Sequence, residues 1–160
     1  QHFNDLNPTN DNLILFNRAR ASNNHYLYTR NMSTHVETLI FTLPYVSGTS
    51  DPRFINAKFS PDGTKIAFDM YFTDNGNDFR IYTCNSDGTN LQLIQMSNFN
   101  VNPIFFNSWS PDGTKLLLNK KFTGVGYTDK SQLFTRDLTT NAEVLLTAHN
   151  SNNTVGDWKA

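Results

Sequence analysis

The sequence has few of the features that would assign it to a specialised class of protein. Its single cysteine, Cys84, excludes an internal disulfide framework and leaves the redox compartment open. The net charge is −1 with no basic run, which argues against a nucleic-acid partner or an anionic membrane surface. No apolar stretch approaches the roughly 18 residues of a membrane-spanning helix, and no signal peptide is evident. The 160 residues include 38% hydrophobic and 13% aromatic side chains, enough for the core of one domain.

One short motif is present twice. Ser-Pro-Asp-Gly-Thr-Lys stands at 60–65 and returns 50 residues later at 110–115. The proline sets φ for a turn, the aspartate accepts local backbone hydrogen bonds, and Gly63 or Gly113 takes the positive φ that closes a hairpin. Apolar and polar residues alternate on both sides of each turn. The motif therefore predicts a two-stranded hairpin with one apolar face.

A degenerate first copy precedes these two. Shifting the sequence by 53 residues places the segment 6–15 on the hairpin of the second copy, with Asn10 on Gly63 and Leu15 on Phe68. Asparagine is the residue that best replaces glycine in the left-handed region, so we expect Asn10 to adopt a positive φ.

Each hairpin is followed by a third and a fourth predicted strand, and these strands also recur in each copy. The third strands lie at 27–31, 81–85 and 133–137, and the fourth at 37–41, 91–95 and 143–146. Four-stranded units repeated about every 50 residues, without helical periodicity, are typical of propeller blades. We predict an all-β fold of four-stranded antiparallel blades, three per chain plus the first strand of a fourth. The boundaries fall at about 1–43, 54–96, 103–147 and 154–159.

The hairpin, with the Ile/Leu-Tyr/Phe strand and the Asp-Gly-Thr-Asn turn at 87–90, resembles the TolB-like, WD-like β-propeller repeat. The resemblance covers nearly the whole chain and is strongest in the second and third copies. Similar repeats are found in the periplasmic TolB protein, in the non-catalytic propellers of prolyl oligopeptidase-type peptidases and in many secreted bacterial proteins. The resemblance implies a fold and leaves the function open.

The segment 154–158 begins a fourth copy, because it repeats the approach to Trp109 at a distance of 49 residues. Three blades and one spare strand do not close a ring, since closed propellers generally have four to eight blades. The exposed faces of a three-blade arc should be covered. We therefore expect other copies of the chain as partners, with Val155 and Trp158 in the contact.

The sequence offers no catalytic motif. It has no Gly-x-Ser-x-Gly elbow, no His-Glu-x-x-His and no phosphate loop, and the turns near 74–78 and 85–90 lack the carboxylates of a calcium loop. Its four histidines lack metal-ligand spacing. We predict no enzymatic activity, no cofactor and no metal.

Four aromatic residues are candidates for contact with a sugar, a peptide or a protein. They fall near the connection between the second and third strands of a blade, where exposure is plausible, and they are Tyr71, Phe72, Phe122 and Tyr127. The aromatic residues that recur at the end of the first strand, such as Phe59 and Trp109, are expected to pack between neighbouring blades.

Asparagine is abundant, and Asn31 and Asn152 fit the glycosylation acceptor pattern. The chain begins at Gln1 rather than at a methionine, which we interpret as a processed or trimmed product. Together these features favour an extracytoplasmic location, meaning secreted, at the cell surface or periplasmic.

Our leading hypothesis is a non-catalytic interaction or structural protein that completes itself by self-association, as a closed ring or an extracellular filament. One alternative is a fragment of a longer propeller that binds a peptide or a protein. The other is the non-catalytic propeller of a peptidase or of a polysaccharide-degrading enzyme.

Overall fold

A computed structural model describes residues 2–19, 25–43, 53–72, 78–98, 100–122 and 130–147. These residues form twelve strands in chain order. The strands are β1 His2–Leu6, β2 Leu13–Ala19, β3 His25–Asn31, β4 Glu37–Leu43, β5 Arg53–Phe59, β6 Lys65–Phe72, β7 Asp78–Asn85, β8 Gln92–Asn98, β9 Ile104–Trp109, β10 Lys115–Phe122, β11 Lys130–Asp137 and β12 Glu143–Leu145.

The strands form three separate sheets of four strands each. The first sheet contains β1 to β4, the second β5 to β8 and the third β9 to β12, and every neighbouring pair is antiparallel. Strand order follows chain order within each sheet, so each sheet is a simple up-and-down meander. This confirms the predicted all-β fold of four-stranded antiparallel units. The predicted extra strand at 154–159 lies outside the described residues.

The repeated motif builds the same turn in the second and third sheets. Ser60 Oγ donates to Asp62 Oδ1 at 2.6 Å and accepts from the Lys65 N–H at 2.9 Å. The equivalent bonds at 110–115 measure 2.6 and 2.8 Å. Gly63 and Gly113 have φ of 70° and 67°, as the turn requires. One motif therefore specifies one hairpin geometry at both places.

The hairpin of the first sheet has one residue more, which corrects the predicted alignment. Leu6 pairs with Ile14, whereas in the second sheet Phe59 pairs with Ile66. The extra residue comes after Asn10, where the Leu13 N–H donates to the Asn10 carbonyl at 2.9 Å and adds a second turn.

Two expectations for the first copy are therefore wrong. Leu15 takes the place of Ala67 rather than that of Phe68, because a one-residue change in turn length moves every later side chain to the other face of the strand. Asn10 is not among the described residues with positive φ, since the longer turn closes without a left-handed residue there.

The apolar core lies between the sheets in two clusters. The first joins Leu15 and Leu27 of the first sheet to Ile66, Phe68 and Met70 of the second, all of them without exposed surface. In each sheet we call the face toward the preceding sheet the near face and the face toward the following sheet the far face. The second cluster joins the far face of the second sheet to the near face of the third. Its members are Ala67, Ile81, Ile104, Phe106, Trp109, Leu116, Leu118 and Phe134. The middle sheet is therefore covered on both faces, so the three sheets stack side by side as an arc.

Candidate functional site

The junction between the second and third sheets is held by a buried carboxylate. Asp69 on β6 has no exposed surface. Its Oδ1 accepts from the Asn56 N–H at 2.7 Å, and its Oδ2 accepts from the Phe106 N–H of the third sheet at 3.1 Å. The Asn56 side chain donates in turn to the Phe106 carbonyl at 3.2 Å. Both backbone polar groups of Phe106, its N–H and its carbonyl, are thus bonded by side chains of the neighbouring sheet.

Burial changes the protonation of this carboxyl group. Desolvation raises the pKa of Asp69 from 3.8 to about 7, although the backbone N–H groups of Phe106 and Asn56 act to lower the pKa. Near neutral pH the charged and the neutral forms of the Asp69 carboxyl group are therefore both populated.

An indole reinforces the same junction. Trp109, at the end of β9, donates from Nε1 to the Lys58 carbonyl of the second sheet at 3.1 Å. At the other end of β9, the rings of Phe105 and Phe79 meet edge to face with centroids 4.6 Å apart. The first strand of the third sheet is therefore fixed to the second sheet at both ends.

The junction between the first and second sheets uses different residues for the same purpose. Asp5 Oδ2 accepts from the Phe59 N–H at 2.8 Å, and Asn7 Nδ2 donates to the Gly63 carbonyl at 3.0 Å. Burial raises the pKa of Asp5, and the hydrogen bond from the Phe59 backbone opposes that shift. Both junctions thus rely on an acidic side chain that accepts a backbone N–H from the first strand of the next sheet.

The far face of the third sheet carries the equivalent positions. In the third sheet Leu117 pairs with Ser108, and in the second sheet Ala67 pairs with Lys58. Ser108 therefore occupies in the third sheet the position that Lys58 has in the second. Asn119, which is buried, stands at the position of Asp69. Ser108 Oγ is buried and has no hydrogen-bond partner among the described residues. This face therefore has the arrangement that receives a further sheet at the second junction.

The near face of the first sheet carries the other half of a junction. Phe16 stacks on Tyr28 with ring centroids 5.5 Å apart, as Phe68 stacks on Tyr82 at 5.6 Å in the second sheet. The guanidinium of Arg18 lies over this first pair, 5.0 Å from the Tyr28 centroid. At the first junction, the Phe68–Tyr82 pair of the second sheet packs against the first sheet. The Phe16–Tyr28 pair repeats that arrangement on the first sheet.

The same face repeats an ion pair that is part of the second junction. In the third sheet Arg136 Nη1 bonds Glu143 at 2.9 Å and also Gln95 of the neighbouring second sheet at 2.5 Å. In the first sheet Arg30 occupies the position of Arg136 and bonds Glu37 at 3.4 Å. Arg30 therefore has the position in the first sheet from which the Arg136 guanidinium, in the third sheet, donates to an amide oxygen of the adjacent sheet.

Three of the aromatic candidates lie at the ends of second strands and are partly buried. Tyr71 packs on Phe79 with centroids 4.9 Å apart, and Phe72 lies 4.1 Å below the Arg80 guanidinium on the opposite face. Phe122 contacts the Lys120 ammonium at 5.5 Å. Neighbouring residues of a strand point to opposite faces, so Tyr71 and Phe72 do not form one platform. Contact with a sugar or a peptide there stays a prediction.

The remaining predicted site residues fall in two groups. Tyr127, Asn152, Val155 and Trp158 lie outside the described residues. Asn31 ends β3 and opens the turn to β4, where its Oδ1 accepts from the N–H groups of Ser33 and Thr34 at 3.0 and 2.9 Å. The turn residues after Asn31 are exposed, so the acceptor tripeptide lies at the surface.

Cys84 borders a small polar recess of about 120 Å³ at one end of the second sheet. Burial, and then the charge of Asp87, raises the pKa of its thiol to about 12, so the thiol is protonated at neutral pH. In the part of the chain that the structure describes, no three His, Cys, Asp or Glu side chains come close enough to hold a metal ion. Within the same part, no helix is long and apolar enough to cross a membrane.

No protein-family model matches the sequence, and no curated protein matches it. Solved structures do match the fold. TolB from Acinetobacter baumannii superimposes with a TM-score of 0.62 at 18% identity, over 90% of this chain and 31% of that chain. An oligogalacturonate lyase in complex with manganese gives 0.64 at 14% identity, over 92% and 41%. The β-propeller domain of the trilobed protease from Pyrococcus furiosus gives 0.54 at 18%, over 91% and 43%. The chain has a β-propeller fold.

Each of the three sheets is accordingly one blade, and we refer to the first, second and third blade below. The chain spans less than half the length of each of these three structures. A likeness at 14–18% identity establishes the fold alone.

The blade junctions contain residues that the sequence pattern did not single out. Asp69 was detectable in principle, since it is the one acidic residue inside the otherwise hydrophobic and aromatic run 66–72. Its partner Phe106 lies 37 residues away, and no local pattern indicates which N–H groups a buried carboxylate will meet. Asp5 follows the polar residue Asn4 and does not interrupt an apolar run, so nothing in the sequence distinguishes it.

Proposed function

We propose that this chain is a non-catalytic, TolB-like propeller arc that acts as an interaction or structural protein and completes itself by binding further copies. The first blade of one copy meets the third blade of the next. Such a head-to-tail contact gives a closed ring if the rotation closes and a filament if it does not.

One observation supports this proposal above the others: the two ends of the arc carry complementary halves of an internal junction. The third blade ends in a face whose buried residues stand where the second blade contacts its neighbour, with Leu117 and Leu133 in the places of Ala67 and Ile81. The first blade begins with the aromatic pair and the Arg30–Glu37 ion pair that stand on the receiving side.

Light scattering tests self-association, because the chain alone has a mass of 18.2 kDa. We expect a discrete dimer or a longer polymer at micromolar concentration. Arg30→Ala should shift the distribution toward the monomer, since it removes the group that matches the Gln95 contact of Arg136. Lys65→Ala is the matched control, because it removes an exposed cation from the middle blade. A monomer at all concentrations would refute the proposal.

The second candidate is an arc of a longer propeller that binds a protein or a peptide, or that belongs to an enzyme. The share of the solved structures that this chain covers favours this candidate, because the chain matches only 31% of TolB and 43% of the β-propeller domain of the trilobed protease. Coding sequence that continues past Ala160 with more Ser-Pro-Asp-Gly copies would favour this candidate, and a Gly-x-Ser-x-Gly segment beyond them would favour the enzyme.

We also propose an extracytoplasmic location with glycosylation at Asn31. The support is the surface turn that carries the acceptor tripeptide, in which Ser33 Oγ donates to Asn12 Oδ1 at 2.8 Å. Mass spectrometry of the protein from its native source tests this. A glycan at Asn31 is the expected result, and an unmodified Asn31 in protein recovered from outside the cytoplasm would contradict the modification.

A further inference from the structure

Each blade ends in an outer strand that, within the described residues, is paired with another strand on one side only. These outer strands are β4, β8 and β12. The open edge of such a strand presents backbone N–H and C=O groups that can pair with another chain, and charged side chains or a short length normally prevent this. β4 begins at Glu37, which forms ion pairs with Arg18 and Arg30, and β12 has three residues and begins at Glu143. Two of the three edges are therefore protected.

The outer strand of the second blade has neither protection. β8 is seven residues long, and it lies in the run 88–111, which contains no Asp, Glu, Lys, Arg or His. The part of this run at 91–98 also contains no proline and no glycine. Uncharged segments of this length and composition are the ones that pair readily with further strands.

Two exposed apolar side chains of β8 share one face. Leu93 pairs with Tyr82 and Met96 pairs with Arg80, and these two partners are two residues apart in β7. The bulge between the two pairs therefore places Leu93 and Met96 on the same face, where they are 52% and 56% exposed. The second blade is covered by a neighbouring blade on both faces, so this exposure does not result from the end of the arc.

The chemistry of this edge identifies its partner. A strand that pairs with β8 has to be extended, uncharged and apolar on one face, and β8 itself has these three properties. Pairing an edge with its own copy brings the charges of both copies into one interface, where like charges are destabilising. Pairing of β4 or β12 with its own copy would bring together two Glu37 or two Glu143 side chains, whereas pairing of β8 with β8 brings no charge of that strand to the interface.

We propose that the outer edge of β8 pairs with the same edge of a second copy of the chain, antiparallel around a two-fold axis. The sheets β5 to β8 of the two copies then form one sheet of eight strands. Leu93 and Met96 of both copies lie on one face of that sheet, where apolar side chains pack across the strands. This contact is isologous and uses neither end of the arc, so it does not depend on the head-to-tail association proposed above.

Amide hydrogen exchange followed by mass spectrometry tests the pairing on the backbone of β8. We expect exchange in the segment 91–98 to slow several-fold over a hundredfold increase in protein concentration, while exchange in the β4 segment 37–43 stays the same. Leu93→Lys should abolish the slowing, because it brings two ammonium groups into the interface. Leu39→Lys is the matched control and should leave the slowing intact, because Leu39 pairs with Tyr28 as Leu93 pairs with Tyr82 and is 46% exposed.

The other possible states of this edge give different results. Rapid exchange of 91–98 at every concentration would mean that the edge stays open, and slow exchange at every concentration would mean that the chain covers it; either result would overturn the proposal. The slowing should persist in Arg30→Ala, which removes a group of the head-to-tail contact. Slowing that is lost in Arg30→Ala and retained in Leu93→Lys would assign the protection to the head-to-tail contact and would also overturn the pairing of β8.

Discussion

Replacing Gly63 or Gly113 with alanine separates two effects that one motif combines. Both glycines have positive φ, so alanine costs about 1–2 kcal/mol at either site from backbone strain alone. The surroundings differ. A Cβ at Gly63 would lie 2.5 Å from Thr9 Oγ1 and closer still to Asn7 Oδ1, whereas at Gly113 the nearest atom is Pro61 Cδ at 3.8 Å.

The extra cost at Gly63 follows from what must move. Asn7 is buried, and its Nδ2 donates to the Gly63 carbonyl at 3.0 Å, so displacing this side chain loses a hydrogen bond of about 1 kcal/mol. An off-rotamer side chain adds about 0.5–1.5 kcal/mol. We therefore expect Gly63→Ala to destabilise the protein by about 2.5–4.5 kcal/mol and Gly113→Ala by about 1–2 kcal/mol.

Urea unfolding followed by circular dichroism measures both variants at one fixed protein concentration, because association would otherwise contribute to the stability. The matched motif makes Gly113→Ala the control for backbone strain. Equal losses of unfolding free energy in the two variants would refute the reasoning. They would mean that Asn7 of the first blade does not pack closely against the turn of the second blade at Gly63.

Three further predictions concern the second junction. The pKa of Asp69 is about 7 in the folded protein and 3.8 ordinarily, so the folded protein binds this proton more tightly than the unfolded chain does. Stability should therefore fall as pH rises from about 4 through 7. Asp69→Asn should remove this pH dependence from the melting temperature. Trp109→Phe should cost about 1 kcal/mol or more in urea, since it removes the bond to Lys58 and leaves a small void, and an unchanged midpoint would contradict that bond. Phe79→Ala should cost about 3–5 kcal/mol because the ring is buried against Phe105, whereas a loss below about 1 kcal/mol would mean that this end of the junction is open.

The sequence predicts the blades well because each depends on local chemistry. The turn at 60–65 contains its own acceptors and its own glycine, and alternation fixes which side chains share a face. The first blade shows the limit of this reasoning. A single additional residue after Asn10 reverses the faces of β2, and an asparagine-rich turn can close with or without it.

The junctions could not be predicted in the same way. Whether Asp69 bonds Phe106, or Asp5 bonds Phe59, depends on how two sheets stack, and the separations of 37 and 54 residues leave no periodic signal. The recurrence of Trp109 at 158 did indicate a role between blades. The structure adds the partner of Trp109, which is a backbone carbonyl and therefore has no identity of its own in the sequence.

The absolute mass of the chain in solution tests the central claim most directly. Light scattering over a hundredfold range of concentration, with negative-stain images of the same samples, gives both the mass and the shape of any assembly. We predict a mass of at least twice 18.2 kDa, as a closed ring or a filament. A folded monomer of 18.2 kDa throughout the range would contradict the claim that the two ends of the arc bind one another.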